Sequence, residues 1–327
     1  MRGTRPLPGH SVPLGPGAEF DRVRKIIAVL GQHSAGLGDD CALIASGDEF
    51  IACSTDVSVQ GVHFRLEWIT PEEIGWRSAA AALSDLAADG AEPVGLLCAV
   101  TMPSGAGEAE LLQLMAGVGA AAAAAGALVL GGDLASGSSW SVAVTVVGRT
   151  GAPVMRSGAR PGDRLWVTGE LGGARAALEA WLHQQEPLPG ARARFAHPEP
   201  RTGAGRWLAR HGARAMIDLS DGLAGDAPHL AAASQVSLAI DLSSVPIAPE
   251  AEREASRLGT PPRQFAAEGG EDYELLVAMP GDFSDADRFR SECSLPLTQI
   301  GEVAAGSGVR FLLSGSSVHL RGFDHFG

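Results

Sequence analysis

The chain has 327 residues, 45% of them hydrophobic and 19% charged, and a net charge of −13. That length suits about two domains of roughly 150 residues each, and the apolar content excludes wholesale disorder. The acidic balance, with no block of consecutive basic residues, argues against a nucleic-acid or anionic-membrane partner.

Residues 1–17 hold four prolines and four glycines and read as a loose N-terminal extension. Ala18 to Leu30 has helical apolar spacing and stops at Gly31. Strand-like runs follow at Cys41 to Ala45, Phe50 to Ser54 and Val57 to Phe64. Thr70-Pro71-Glu72-Glu73 is a helix start, with Thr70 as N-cap, proline first and glutamate third, and the helix runs to about Ala88. Gly95 to Thr101 reads as a strand. Leu111 to Gly132 carries no charge, yet is mostly alanine and glycine. It reads as a soluble helix, a turn at Gly126 and a short strand from Ala127 to Leu130, not as a membrane span. Trp140 to Gly148 is another strand, and the Gly/Pro-rich stretch from Arg149 to Gly162 is the best domain boundary. Beyond it come a strand at Arg164 to Thr168, a helix at Ala174 to His183 and a loop-rich stretch at 186–205. A strand at Arg214 to Ile217 enters a helix at Leu223 to Ala233, and strands at Ser237 to Asp241 and Tyr273 to Met279 complete the outline. The organisation is an α/β (α+β) chain with domains at 18–150 and 151–327.

The four cysteines, Cys41, Cys53, Cys98 and Cys293, form no C-x-x-C pair, and three of them sit in apolar runs and read as small core residues. No basic-then-apolar leader opens the chain, so the cytosol is the expected compartment.

Five acidic islands sit at the ends of, or inside, apolar runs: Asp39-Asp40, Asp56, Asp85, Asp133, and Asp218 with Asp221. Oxygen-only ligands of this kind suit Mg²⁺. One lysine, Lys25, stands against 24 arginines, and no G-x-x-x-x-G-K-[ST] loop occurs. Phosphate handling would therefore rest on metal ions, backbone amides and arginine. Each island also has an ordinary reading. Asp39-Asp40 can be a turn, and Ser54-Thr55-Asp56 a cap. Gly131-Gly132-Asp133 can be a simple strand exit. Asp85 is harder to dismiss, because a carboxylate in the middle of an Ala/Leu helix is costly unless it is exposed or paired with a cation. Asp218-Leu219-Ser220-Asp221-Gly222 joins a strand to a helix. An N-cap accounts for one of its two carboxylates, not both. Glu268 to Glu274 packs four acids and two glycines before a strand. His63 and Arg156 are isolated cations near loops.

In order along the chain, GLGDDCA, STDVSVQGVHF, LSDLAADGAEP, GGD, RSGARPGD, VTGELGG, MIDLSDGL, GGEDYELL and GFDHF resemble the thiamine-monophosphate kinase family, over nearly the whole length from Ala18. The wider group includes aminoimidazole ribonucleotide synthetase and selenophosphate synthetase. The resemblance implies a homodimer in which the N-terminal mixed sheet pairs with a second subunit, followed by a C-terminal α/β domain. It implies Mg²⁺-dependent transfer of the ATP γ-phosphoryl group to thiamine monophosphate, giving thiamine diphosphate, by direct in-line displacement without a covalent intermediate. It assigns Asp40, Ser54, Thr55, Asp56, Asp85, Asp133, Asp218 and Asp221 to several magnesium ions, and Gly132, Asp133, Arg156 and Ser220 to ATP. His63, Glu271 and Phe323 go to thiamine monophosphate. The chain departs from the family pattern after GGD, where Leu134-Ala135-Ser136-Gly137 replaces the usual two threonines and arginine. The alternatives are another ATP-dependent synthetase of the same group and an Mg-nucleotide-binding module without turnover.

Overall fold

One helix organises the molecule. In the computed structural model, which describes residues 12–34 and 36–323, Pro71–Ala88 is buried along nearly its whole length. The sequence starts it firmly. The Thr70 hydroxyl accepts from the Glu73 amide at 3.3 Å, and the Glu73 carboxylate accepts from the Thr70 amide at 2.8 Å, closing a capping box. Small residues let neighbours close in. A Cβ on Gly75 would lie 1.9 Å from the Leu114 carbonyl, and one on Gly117 would lie 1.8 Å from that of Glu72.

The first half holds helices α1 (Ala18–Leu30), α2 (Pro71–Ala88) and α3 (Glu108–Ala124). Its sheet comprises β1 (Ala42–Ser46), β2 (Glu49–Val59), β3 (Glu92–Pro103), β4 (Leu128–Gly137) and β5 (Ser141–Thr150). The strand order is β1-β2-β5-β3-β4, and only β3 and β4 run parallel.

The second half holds β6 (Arg164–Thr168), β7 (Ala215–Asp218), β8 (Ser237–Asp241), β9 (Leu275–Met279), β10 (Leu297–Ala304), β11 (Gly308–Leu313) and β12 (Ser316–Val318). Their order is β12-β11-β8-β10-β6-β9-β7, with β8 and β11 parallel. Around them pack α4 (Gly173–Leu182), α5 (Pro189–Ala196), α6 (Thr202–Arg210), α7 (Leu223–Ser234), α8 (Pro249–Leu258), α9 (Pro262–Ala267) and α10 (Ala286–Cys293). Two mixed sheets with helices give the expected α/β (α+β) class.

The halves share apolar cores. One core joins Leu83, Leu86, Leu96 and Val144 of the first half to Phe195 and Phe265 of the second. Another joins Ala87 and Ala88 to Trp207, Met216 and Phe289. No helix among the described residues is long and apolar enough to cross a membrane, and Leu111 to Gly132 divides between α3 and β4.

Several expectations need correction. Phe50 to Ser54 and Val57 to Phe64 are not two strands: β2 runs unbroken through the polar Ser54-Thr55-Asp56 and ends at Val59. The stretch at 186–205 contains α5 and the start of α6. Gly131 to Gly137 continues β4, where a Cβ on Gly132 would lie 1.8 Å from the Cys98 carbonyl. Of the loose extension, residues 1–11 lie outside the described residues, whereas 12–17 are tied down. Val12 is buried and its amide donates to the Leu37 carbonyl at 3.0 Å, while Arg24 donates to the carbonyls of Leu14 and Gly15.

Candidate active site

Four separate segments converge beside α2. Asp85 projects from the helix, Ser54 from β2, Asp218 from the end of β7 and Asp40 from the turn before β1. The Ser54 hydroxyl donates to the Asp85 carboxylate at 2.5 Å. One oxygen each of Asp40, Asp85 and Asp218 lies within 4.8 Å of the others. Asp40 and Asp218 are buried and Asp85 is half-buried.

Crowded carboxylates out of water resist ionisation. Burial, followed by the charges of Asp56, Asp218 and Asp40, holds the Asp85 carboxyl well above its usual range. The Ser54 hydroxyl works in the opposite direction. Burial and the Asp40 charge push Asp218 up to about 8. A hard divalent cation would remove this repulsion, and the donor set of carboxylates and hydroxyl, without thiolate or imidazole, fits Mg²⁺.

Arg156 is not isolated. Its guanidinium donates to both oxygens of Asp40, at 3.1 and 2.7 Å, and its amide donates to Asp39 at 2.9 Å. The turn from Asp218 to Gly222 departs from the capping expectation. The N-cap of α7 is Gly222, with no side-chain cap, and the buried Asp226 accepts from the Asp221 amide at 3.0 Å.

That turn also lines a cavity of about 380 Å³, which Ser220 and Asp221 share with His63, Trp68, Arg77, Glu271 and Phe323. Glu271 pairs with Arg77 at 2.6 Å and accepts from the Tyr273 hydroxyl at 2.5 Å. Arg77 is buried, with its guanidinium 3.8 Å over the Phe195 ring. His63 accepts from the Val59 amide through Nδ1 at 3.1 Å. In its neutral form the ring proton therefore sits on Nε2. Phe323 is 56% exposed, and its amide donates to the Asp221 carbonyl. Asp324, His325 and Phe326 of the GFDHF motif lie outside the described residues.

Two assigned residues stand apart. Strand register places Asp56, Val144, Cys98 and Gly132 in one row, facing α2. Thr55 and Asp133 fall in adjacent rows, so they point to the opposite, exposed face, where Thr55 meets Thr145 at 2.9 Å. Sequence reasoning missed Arg77, Asp89 and Asp226, all buried. The first two carried the signal that singled out Asp85: a charge set in an alanine-rich helix.

The match to known proteins is extensive. The N-terminal domain of AIR synthase related proteins matches residues 38–150, and their C-terminal domain matches 160–314. The thiamine-monophosphate kinase of Mycobacterium tuberculosis (strain H37Rv) is 39% identical over 273 residues, covering 82% of this chain and 81% of that one. The thiamine-monophosphate kinase of Aquifex aeolicus is 32% identical over 317 residues, covering 96% and 98%. A solved structure of AaThiL complexed with AMPPCP and TMP superposes with a TM-score of 0.85 at 32% identity, over 95% of this chain and 97% of that one. The chain belongs to the AIR synthase related proteins and, within them, to the thiamine-monophosphate kinases.

Proposed function

We propose that this protein transfers the γ-phosphoryl group of ATP to thiamine monophosphate, giving thiamine diphosphate and ADP. The observation that carries this reading is adjacency. The turn from Asp218 to Gly222 closes the three-carboxylate cluster on one side and lines the cavity of His63, Glu271 and Phe323 on the other.

The chemistry follows from charge. A phosphate monoester has a second pKa near 6, so the acceptor is largely dianionic at neutral pH and needs no general base. The difficulty is to hold two polyanions together where water is scarce. When bound, Mg²⁺ would neutralise and align both phosphates for in-line displacement. We assign its ligands to Asp40, Ser54, Asp56, Asp85, Asp218 and Asp221, and the nucleotide to Gly132, Arg156 and Ser220; Thr55 and Asp133, which point to the other face of the sheet, take no part in this assignment. Arg156 is held in place by its two bonds to Asp40. At the acceptor, His63 offers an Nε2–H to a phosphate oxygen. The exposed Phe323 ring and the acids Asp221, Glu268 and Glu271 suit the fixed positive charge of a thiazolium ring.

The quaternary reading is a homodimer formed through the outer face of the first sheet. There Ile44, Val57, Leu97 and Leu128 are exposed, which is unusual for large apolar groups on one sheet face. We place the reaction in the cytosol. The functional division is residues 18–150 for nucleotide, metal and dimer contacts, and 151–327 for the C-terminal domain.

The test is ADP release from ATP and Mg²⁺ with and without thiamine monophosphate, with the product identified by mass. ADP release that depends on the acceptor, with thiamine diphosphate formed, is expected. ATP bound but not consumed with this acceptor would move the protein to a sister synthetase or a binding module.

A further inference from the structure

A second acidic group lies behind the catalytic cluster and shares only Asp40 with it. One oxygen each of Asp39, Asp40 and Asp89 lies within 4.8 Å of the others. Asp89 caps the C-terminus of α2, one turn beyond Asp85, and is 1% exposed. Its backbone is fixed, since its amide donates to the Asp85 carbonyl and its carbonyl accepts from the Val154 amide, both at 3.1 Å. The adjoining Gly90 has φ +65, which turns the chain sharply away.

We propose that Asp39, Asp40 and Asp89 form a further divalent-cation site, distinct from the catalytic cluster except for the shared Asp40. Both carboxylate oxygens of Asp89 and Oδ2 of Asp39 are buried, no N–H or O–H among the described residues reaches them, and the Cys41 thiol beside Asp89 is only a weak donor. Asp39 uses only Oδ1, which accepts from the Arg156 and Asp40 amides at 2.9 and 3.2 Å. The one cation at hand, Arg156, spends its guanidinium on Asp40. Three carboxylates facing one guanidinium leave two formal negative charges in a buried place. Such charge persists only with a partner. A proton shared between Asp39 and Asp89 would leave the third oxygen to the weak Cys41 S–H donor, whereas a cation with its bound water can serve all of them.

The surroundings choose the class of ion. Cys41 is the adjacent soft atom, but it is a buried thiol, and the thiolate rather than the thiol ligates metal. The remaining donors are all oxygen, so the ion is hard: Mg²⁺, Mn²⁺ or Ca²⁺. Held there, it braces Asp40 from the side opposite the substrate.

Mn²⁺ titration followed by electron paramagnetic resonance, on the whole protein without nucleotide or acceptor, tests this. The wild type should bind at least about two Mn²⁺ per chain. Asp89→Asn and Asp39→Asn should each weaken one of these by about tenfold or more, and Asp85→Asn should weaken a different one. Asp39→Asn keeps the Oδ1 acceptor for Arg156, so it covers the case in which Asp89→Asn fails to fold by circular dichroism. A wild type that binds one Mn²⁺ or none overturns the proposal whatever the variants do. So does a folded Asp89→Asn or Asp39→Asn that binds Mn²⁺ as the wild type does. Because the readout contains no substrate, its failure leaves the phosphoryl-transfer reading standing, and the reverse also holds.

Discussion

Arg77 and Glu271 meet at 2.6 Å, joining the central helix to the loop that walls the acceptor cavity. Arg77 is 3% exposed, and its remaining bond goes to the Phe195 carbonyl at 2.7 Å. Removing Glu271 would strand a buried guanidinium. A fully buried pair costs about 3–5 kcal/mol when one partner is lost. Glu271 keeps 26% of its side chain exposed, so Glu271→Gln should cost about 2 kcal/mol. Steady-state kinetics should show KM for thiamine monophosphate raised about tenfold or more, with KM for ATP little changed. An unaltered acceptor KM would detach Glu271 from the acceptor site.

Asp85→Asn and Asp218→Asn should lower turnover by about two orders of magnitude or more while the fold survives. They should also make the metal-free protein more stable. The folded pKa of Asp218 is raised to about 8 from 3.8. Its contribution is therefore full below pH 3.8 and is lost as pH rises through about 8. The asparagine does not lose it. Thermal melts in chelator at pH 8.5 should show both variants above the wild type, and Mg²⁺ should stabilise the wild type more than either. A variant that melts lower in chelator would mean that these carboxylates are not in conflict.

The acidic islands were legible because each broke a local rule, as Asp85 did in its alanine helix. Their meeting was not, since Asp40 and Asp218 reach α2 from opposite halves of the chain. Two errors share one cause. The sequence splits β2 at Ser54-Thr55-Asp56 because polar residues interrupt its apolar run, yet one face of the strand lines the site. The start of α6, Thr202 to Gly205, falls in the stretch that reads as loop-rich, because its glycines weaken the helical pattern. A Cβ on Gly205 would lie 2.0 Å from the Ala87 carbonyl, so that glycine is there for the close approach to α2. The outer strands and helices of the C-terminal domain, such as α10 and β12, are short and weakly patterned, and tertiary packing defines them.

His229 gives the fold a dependence on acid. It is 7% exposed on α7, stacks on Phe20 of α1 at 3.9 Å, and sits where a Cβ on Gly15 would lie 2.3 Å from its Nδ1. Burial first, then the charges of Arg156 and Arg24, lowers its pKa from 6.5 to about 3. Between those values the unfolded chain binds a proton that the folded one refuses. Its contribution is present above pH 6.5 and is lost as pH falls toward about 3, at most on the order of 5 kcal/mol. Urea midpoints should drop more between pH 7.5 and 5 for the wild type than for His229→Phe. Parallel curves would show that the ring is not held neutral.

The outer face of the first sheet supplies a test of the quaternary reading. Leu97 is 42% exposed at the centre of that face, in the same row as Thr145 and Thr55. The chain mass is 33.5 kDa, so sedimentation should report a particle near twice that value. Leu97→Glu would bury a charge against apolar neighbours if the face pairs, and should shift the protein to monomers at micromolar concentration. The carboxylate cluster lies on the opposite face of the sheet, so Mn²⁺ binding should persist in the monomer. A wild type that sediments as a monomer would leave this apolar face without the partner assigned to it. A Leu97→Glu variant that stays dimeric would move the interface elsewhere.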